Sequence, residues 1–225
     1  MNTMSTPDTS TPPESPAPQA VPLIFGSADR SEELARAELY GLLAQLWLAP
    51  PYAALLEQFK TAVTEAPEAG ALLQDPWQAL VGVLRDTTEH AAAAEHHALF
   101  QSVGKPEVFA YGSFYLSGYL NEKPLAILRT DLAALGLTRD DSSVETEDHL
   151  SYLFEVMRYL IAGDDVAVCN LEQQRRFFRT HIQTWVEQLC DTVIANPQAQ
   201  VWRALAVFTQ QFVRVETQGF DMLEA

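Results

Sequence analysis

The stretch ETEDHLSYLFEVMRYLI, from Glu145 to Ile161, decides how this chain is read. Its second part carries Leu150, Leu153, Phe154, Met157, Leu160 and Ile161 at the three- and four-residue spacing of one helical face. Its first part crowds three acids and a histidine where that helix should begin. Acids suit such a place, because the first turn of a helix has unpaired N–H groups and a positive dipole end. Thr146 then reads as the N-cap, with Glu147, Asp148 and His149 as the first helical positions. On local chemistry the cluster reads first as a cap with an incidental histidine, and second as an anionic patch for a cationic ligand.

The same helical rhythm runs outward in both directions. Asp29 precedes Leu34, Leu39, Leu42, Leu43 and Leu46 on one stripe, which Pro50-Pro51 stops. Pro51 suits the first turn of a short helix with Leu55, Leu56 and Phe59. Asp75-Pro76 reads as a cap and first-turn proline opening one long helix through Trp77 to about Phe100. Gly104, Pro106 and Gly112 break the rhythm, and a short helix from Ser113 to about Leu120 follows. Pro124 opens a helix that ends at Gly136, a left-handed cap position, and Gly163 closes the helix that carries Leu150. Two or three more helices run from about Asn170 to Asn196 and from Gln198 to about Gln218. Strand-type alternation is nearly absent. The expected fold class is all-α, a single-domain helical bundle of roughly eight to ten helices over residues 27–225. Residues 1–26, with Pro7, Pro12, Pro13, Pro16, Pro18 and Pro22, read as a disordered Pro/Ser/Thr-rich tail. Within it Val21 to Phe25 is apolar enough to pin the tail to the domain.

Composition narrows the function. The formal net charge is −16, so nucleic acid and acidic membrane surfaces are poor partners, and a basic peptide is a good one. No apolar run is long enough to span a bilayer, and the N-terminus lacks the basic and apolar regions of a secretory signal. The simplest address is the cytoplasm. Cys169 and Cys190 form no CxxC pattern and read as buried, reduced thiols. His90, His96 and His97 tempt a metal reading, but no His-x-x-x-His or Glu-x-x-His pair is present. Gly104-Lys105 is no phosphate loop, and no nucleophile elbow exists. No catalytic residue, metal ligand or cofactor is assigned.

A second segment stands out in the break between helices: Tyr111-Gly112-Ser113-Phe114-Tyr115-Leu116. Its aromatics can be core plugs and Ser113 a cap, yet aromatics with polar tips also suit peptide recognition. This segment and the later acid-histidine cluster, in this order, resemble the TorD/DmsD/NarJ family of chaperones that mature molybdenum-containing redox enzymes. Tyr111, Ser113 and Tyr115 match the family's aromatic-x-Ser-x-aromatic segment, and Glu145, Asp148 and His149 match its Glu-Pro-x-Asp-His motif. Thr146 replaces the proline, and Phe109-Ala110 stands where a Pro-Pro pair is common. Val103 to Phe109 and Glu122-Lys123-Pro124-Leu125 look like the branch associated with formate dehydrogenases.

The resemblance implies a cytoplasmic, non-enzymatic chaperone. It would bind the twin-arginine leader, and possibly the mature part, of a molybdoenzyme catalytic subunit before export, acting as monomer or dimer. The implied peptide site is Tyr111, Ser113, Phe114, Tyr115, Glu145, Asp148 and His149. Asp148 or Glu145 would pair with arginine, and His149 would tune affinity near neutral pH. The rival readings are a helical metal-dependent hydrolase using Glu145, Asp148 and His149 with His96 or His97, and a general helical adaptor.

Overall fold

The computed structural model describes residues 32–61, 71–101, 106–140 and 143–222. The tail over residues 1–26 and the stretch Val103 to Lys105 lie outside these residues. Among the described residues, ten α-helices form an all-α, single-domain bundle, as the periodicity predicts. They are α1 (Glu32–Leu48), α2 (Ala53–Thr61), α3 (Gln74–Asp86), α4 (Glu89–Phe100), α5 (Gly112–Ser117), α6 (Lys123–Ala134), α7 (Leu150–Ala162), α8 (Leu171–His181), α9 (Val186–Ala195) and α10 (Val201–Met222), with a 3₁₀ turn at Ala71–Leu73 before α3.

The centre of the bundle is the pair α1 and α7, packed along their lengths. α1 buries Leu39, Tyr40, Leu42, Leu43, Leu46 and Trp47, which cover roughly half of its circumference. Glu32, Glu33 and Gln45 are exposed. Gly41 lets α7 come close: a Cβ there would lie 2.8 Å from the Arg158 side chain. α10 closes the other side and packs on α9 and α3. Its stripe Val201, Leu205, Phe208 and Phe212 is buried, as is Phe220. Tyr40 joins these layers, with Phe154 at 5.6 Å and Phe212 at 4.9 Å, both edge-on. Each such buried aromatic contributes about 1.5–3 kcal/mol by leaving water.

Several local expectations change. The expected long helix from Asp75 to Phe100 is two helices, because Thr87 is extended and Thr88 caps α4 through a 3.2 Å bond from the Ala91 N–H. Asp75 lies inside the first turn of α3, whose cap position is Leu73. Pro51 is not in the first turn of α2: the Tyr52 carbonyl accepts the first helical bonds, leaving Pro51 buried just outside. Leu34 is exposed rather than on the buried stripe of α1. Cys169 is half-buried in the α7–α8 connection, where its thiol meets the Tyr159 carbonyl at 3.3 Å; Cys190 is buried as expected. Gly136 does take the left-handed conformation, at φ 73°. The chain there folds back so that the Leu137 N–H reaches the Leu132 carbonyl at 2.9 Å.

Candidate functional site

The two motif segments, 34 residues apart along the chain at Tyr111 and Glu145, meet in space. Tyr111 and His149 form an isolated antiparallel β-bridge. The Gly112 N–H donates to the Asp148 carbonyl and the Leu150 N–H to the Ala110 carbonyl, both at 2.9 Å. These bonds satisfy backbone groups at the starts of α5 and α7 that a helix leaves open. One small structure thus begins two helices.

Side chains complete it. Asp148 is 3% exposed, and its carboxylate accepts from the Ser113 N–H at 2.9 Å and from the Thr146 hydroxyl at 2.6 Å. It caps α5 from across the fold. Two corrections follow for the expected roles. Thr146 is not the N-cap of α7, and Asp148 has no open face for a bidentate arginine. The cap is His149, whose Nδ1 accepts from the Ser151 N–H at 3.3 Å and lies 2.8 Å from the Ser151 hydroxyl. The helix therefore starts at Leu150, three residues later than the acids suggest. A proline at position 146 would lack the hydroxyl that holds Asp148.

Burial also changes what His149 does. Desolvation lowers its pKa to about 4, against the raising influence of Glu145 and Asp148. The imidazole is neutral at physiological pH, so it does not tune affinity near neutrality. His96 on α4 is likewise lowered to about 4 by burial, and it feels both Glu145 and the neighbouring His97. His96 and His149 are near enough to influence each other electrostatically. His90 and His97 face solvent. Among the described residues, no group of three or more His, Cys, Asp or Glu is placed to hold a metal ion.

Glu145 is the accessible acid of the motif. It is half-buried, and one carboxylate oxygen accepts from the Tyr111 hydroxyl. Burial first, and this carboxylate second, push the Tyr111 hydroxyl far above its ordinary pKa, so it stays a donor. The Tyr111 ring packs edge-on to His149 at 5.0 Å. The rest of the segment is divided. Ser113 is fully buried: its hydroxyl accepts from the Asn121 N–H at 3.2 Å, so it fixes the α5–α6 turn. Tyr115 stacks on Trp185 at 5.5 Å, and burial raises its pKa to about 12. Phe114 is half-buried against Phe109 at 4.5 Å, which gives the residue standing in the Pro-Pro place a packing role. Tyr111, Glu145 and Phe114 thus offer partly open surface, while Ser113, Asp148 and His149 hold the frame.

Beside this frame lies a groove of about 280 Å³ between the end of α6 and the outer face of α7. Leu132, Leu137, Tyr152, Val156 and Tyr159 form its apolar walls, and Glu147 and Glu155 lie among its polar groups. Glu147 reaches Arg129 of α6 through a two-pronged pair, Nε to Oε1 at 3.0 Å and an amino nitrogen to Oε2 at 2.8 Å. That bond holds the Glu147 carboxyl below its ordinary pKa. Sequence reasoning missed Arg129 and Trp185 as neighbours of the motifs, and it named His96 only in the rival metal reading. No spacing pattern links them; their proximity arises from how α4, α6 and α9 pack.

The fold is an all-α bundle in which an aromatic-Gly-Ser segment and an acid-histidine segment share one bridge. Residues 66–191, more than half of the chain and including both segments, match the family model described as nitrate reductase delta subunit, and the chain belongs to that family. This is a NarJ/TorD-type family of chaperones for molybdoenzyme maturation rather than a family of catalysts. No curated protein matches the chain. Among the described residues no helix is long and apolar enough to cross a membrane.

Proposed function

We propose that this chain binds the twin-arginine leader of a molybdoenzyme catalytic subunit in the cytoplasm and holds it until the cofactor is in place. The client proposed is a formate dehydrogenase, on the resemblance of Val103 to Phe109 and Glu122 to Leu125 to that branch. The observation that carries the leader reading is the bridge between Tyr111 and His149, which sets an accessible carboxylate, Glu145, beside a partly open aromatic surface. A leader with paired arginines and an apolar segment has the matching chemistry. The net charge of −16 adds long-range attraction for such a cation.

Within the proposed site the seven residues divide their work. Glu145 takes a guanidinium, with Tyr111 orienting the carboxylate and Phe114 offering a face to apolar leader residues. Asp148, Ser113, His149 and Tyr115 hold these in position. The test is calorimetry with the leader of the formate dehydrogenase encoded by the same organism. Binding that weakens about tenfold or more, when either the arginines become glutamine or Glu145 does, supports the reading. Binding indifferent to both changes, or none at all, removes it. Co-purification of the dehydrogenase subunit from the native cell tests the client separately.

A further inference from the structure

We propose that the groove between α6 and α7 seats an arginine side chain of the bound peptide on Glu147, and that Arg129 is a resident guanidinium which this ligand displaces. The inference rests on the leader reading for the source of the peptide, but its geometry stands by itself.

The groove has the chemistry of an arginine side chain. Its walls, Leu132, Leu137, Val156 and the rings of Tyr152 and Tyr159, suit the methylene stem and the flat face of a guanidinium. At about 280 Å³ it has room for one or two large side chains and none for a whole helix. Carboxylates stand in this apolar setting: Glu147, and Glu155, whose pairing is an exposed contact with Arg158 at 2.7 Å. The groove's own cation, Arg139, reaches toward the Glu145 carbonyl at 3.2 Å.

The Arg129–Glu147 pair shows which ligand Glu147 is built to hold. Both guanidinium prongs sit on both carboxylate oxygens, a geometry that lysine cannot reproduce. The two partners are unequal in burial. The Glu147 side chain is 14% exposed and the Arg129 side chain 53%. The carboxylate is thus recessed, and the guanidinium reaches it from the solvent side. Exchanging Arg129 for an incoming arginine leaves Glu147 paired, while the largely exposed Arg129 side chain returns to water at small cost. Arg129 therefore acts as a competitor inside the chain: it keeps Glu147 neutralised when no client is present and sets a threshold for weak cations.

The test uses the full chain and two peptides. One is the client leader; the other is a short capped peptide with two arginines, with a two-lysine version beside it. Calorimetry compares wild type, Arg129→Gln and Glu147→Gln, with thermal unfolding to confirm that the variants fold. Removing Arg129 is expected to tighten the two-arginine peptide about threefold to tenfold and the two-lysine peptide less. Glu147→Gln is expected to weaken the arginine peptide and to cancel the gain in the double variant. Unchanged or weaker binding of the arginine peptide to Arg129→Gln overturns the inference. If the leader still binds through its arginines in that case, the leader reading survives. Conversely, a short peptide that follows Arg129 and Glu147 while the leader does not bind leaves the groove assignment standing and removes the leader reading.

Discussion

Asp148 shows how a motif residue can serve the fold itself. Its carboxylate holds the Ser113 N–H and the Thr146 hydroxyl in a buried setting. Replacing it by alanine strands that N–H and leaves a small void, which is expected to cost about 2–4 kcal/mol in urea unfolding. Asp148→Asn keeps an acceptor for Ser113 and is expected to cost clearly less. Loss of leader affinity in Asp148→Ala therefore tracks loss of structure, whereas Glu145→Gln is expected to change affinity at nearly constant stability. The histidines give a pH prediction. In the unfolded chain an imidazole takes its proton near pH 6.5, while His149 and His96 in the folded chain do so only at about 4. The unfolded state thus binds protons first. Stability is full above pH 6.5, falls as the pH drops towards 4, and levels off below. Each imidazole accounts for about 3 kcal/mol across that window. Glu216, whose carboxyl burial pushes upward, works in the opposite sense. Denaturant midpoints measured from pH 7 to 4 check this: His149→Gln and His96→Gln are each expected to flatten the curve, and an unchanged slope in both contradicts the assignment.

At the level of elements, the ends of helices are held by partners far away in sequence. The start of α10 is capped by Glu95 of α4, which accepts from the N–H groups of Gln200, Val201 and Trp202 at 2.8–3.1 Å. Both the unpaired N–H groups and the dipole favour a carboxylate there. Glu95→Ala is expected to cost about 2 kcal/mol and to raise hydrogen exchange at those three amides more than at the middle of α10. α5 is tied in a comparable way. Gly112 opens it because a Cβ would lie 3.1–3.2 Å from the Trp185 indole, which itself donates to the His181 carbonyl at 2.6 Å. Gly112→Ala is expected to displace Trp185 and destabilise the chain by about 1–3 kcal/mol, visible as a shift in tryptophan fluorescence before any change in helix content. Periodicity located α7 and α10 well because their buried stripes are long. It misplaced the start of α7 and merged α3 with α4, since Glu147 and Thr88 look equally helical when only neighbours are counted.

Across the whole molecule, charge and packing act at different ranges. With 30 acidic and 14 basic residues, the chain is expected to attract the proposed cationic leader from a distance, with an association rate that falls several-fold between about 50 and 300 mM salt. The dissociation rate is expected to respond instead to Glu145 and Glu147, which act at contact. A salt-insensitive association rate contradicts the long-range part. Inside, Tyr40, Glu216 and Arg36 tie α1 to α10, with the Tyr40 hydroxyl donating to Glu216 at 2.7 Å and Arg36 at 3.4 Å from it. Removing one member leaves a buried charge or donor uncompensated, so this network helps to fix how α1 and α10, both outside the matched residues 66–191, sit against each other.

The amino-acid sequence by itself determined the all-α class, the apolar faces and the acidic surface, because these depend on residue type and on spacings of three and four. It also held the two motif segments in plain view. Only the tertiary structure decided which of their residues are buried and what they bond to. That Asp148 is a buried cap while Glu145 keeps a partly open carboxylate depends on which distant N–H or hydroxyl lies beside each. Those neighbours, Ser113, Tyr111 and, for Glu147, Arg129, are brought by helix packing, a property no local spacing records.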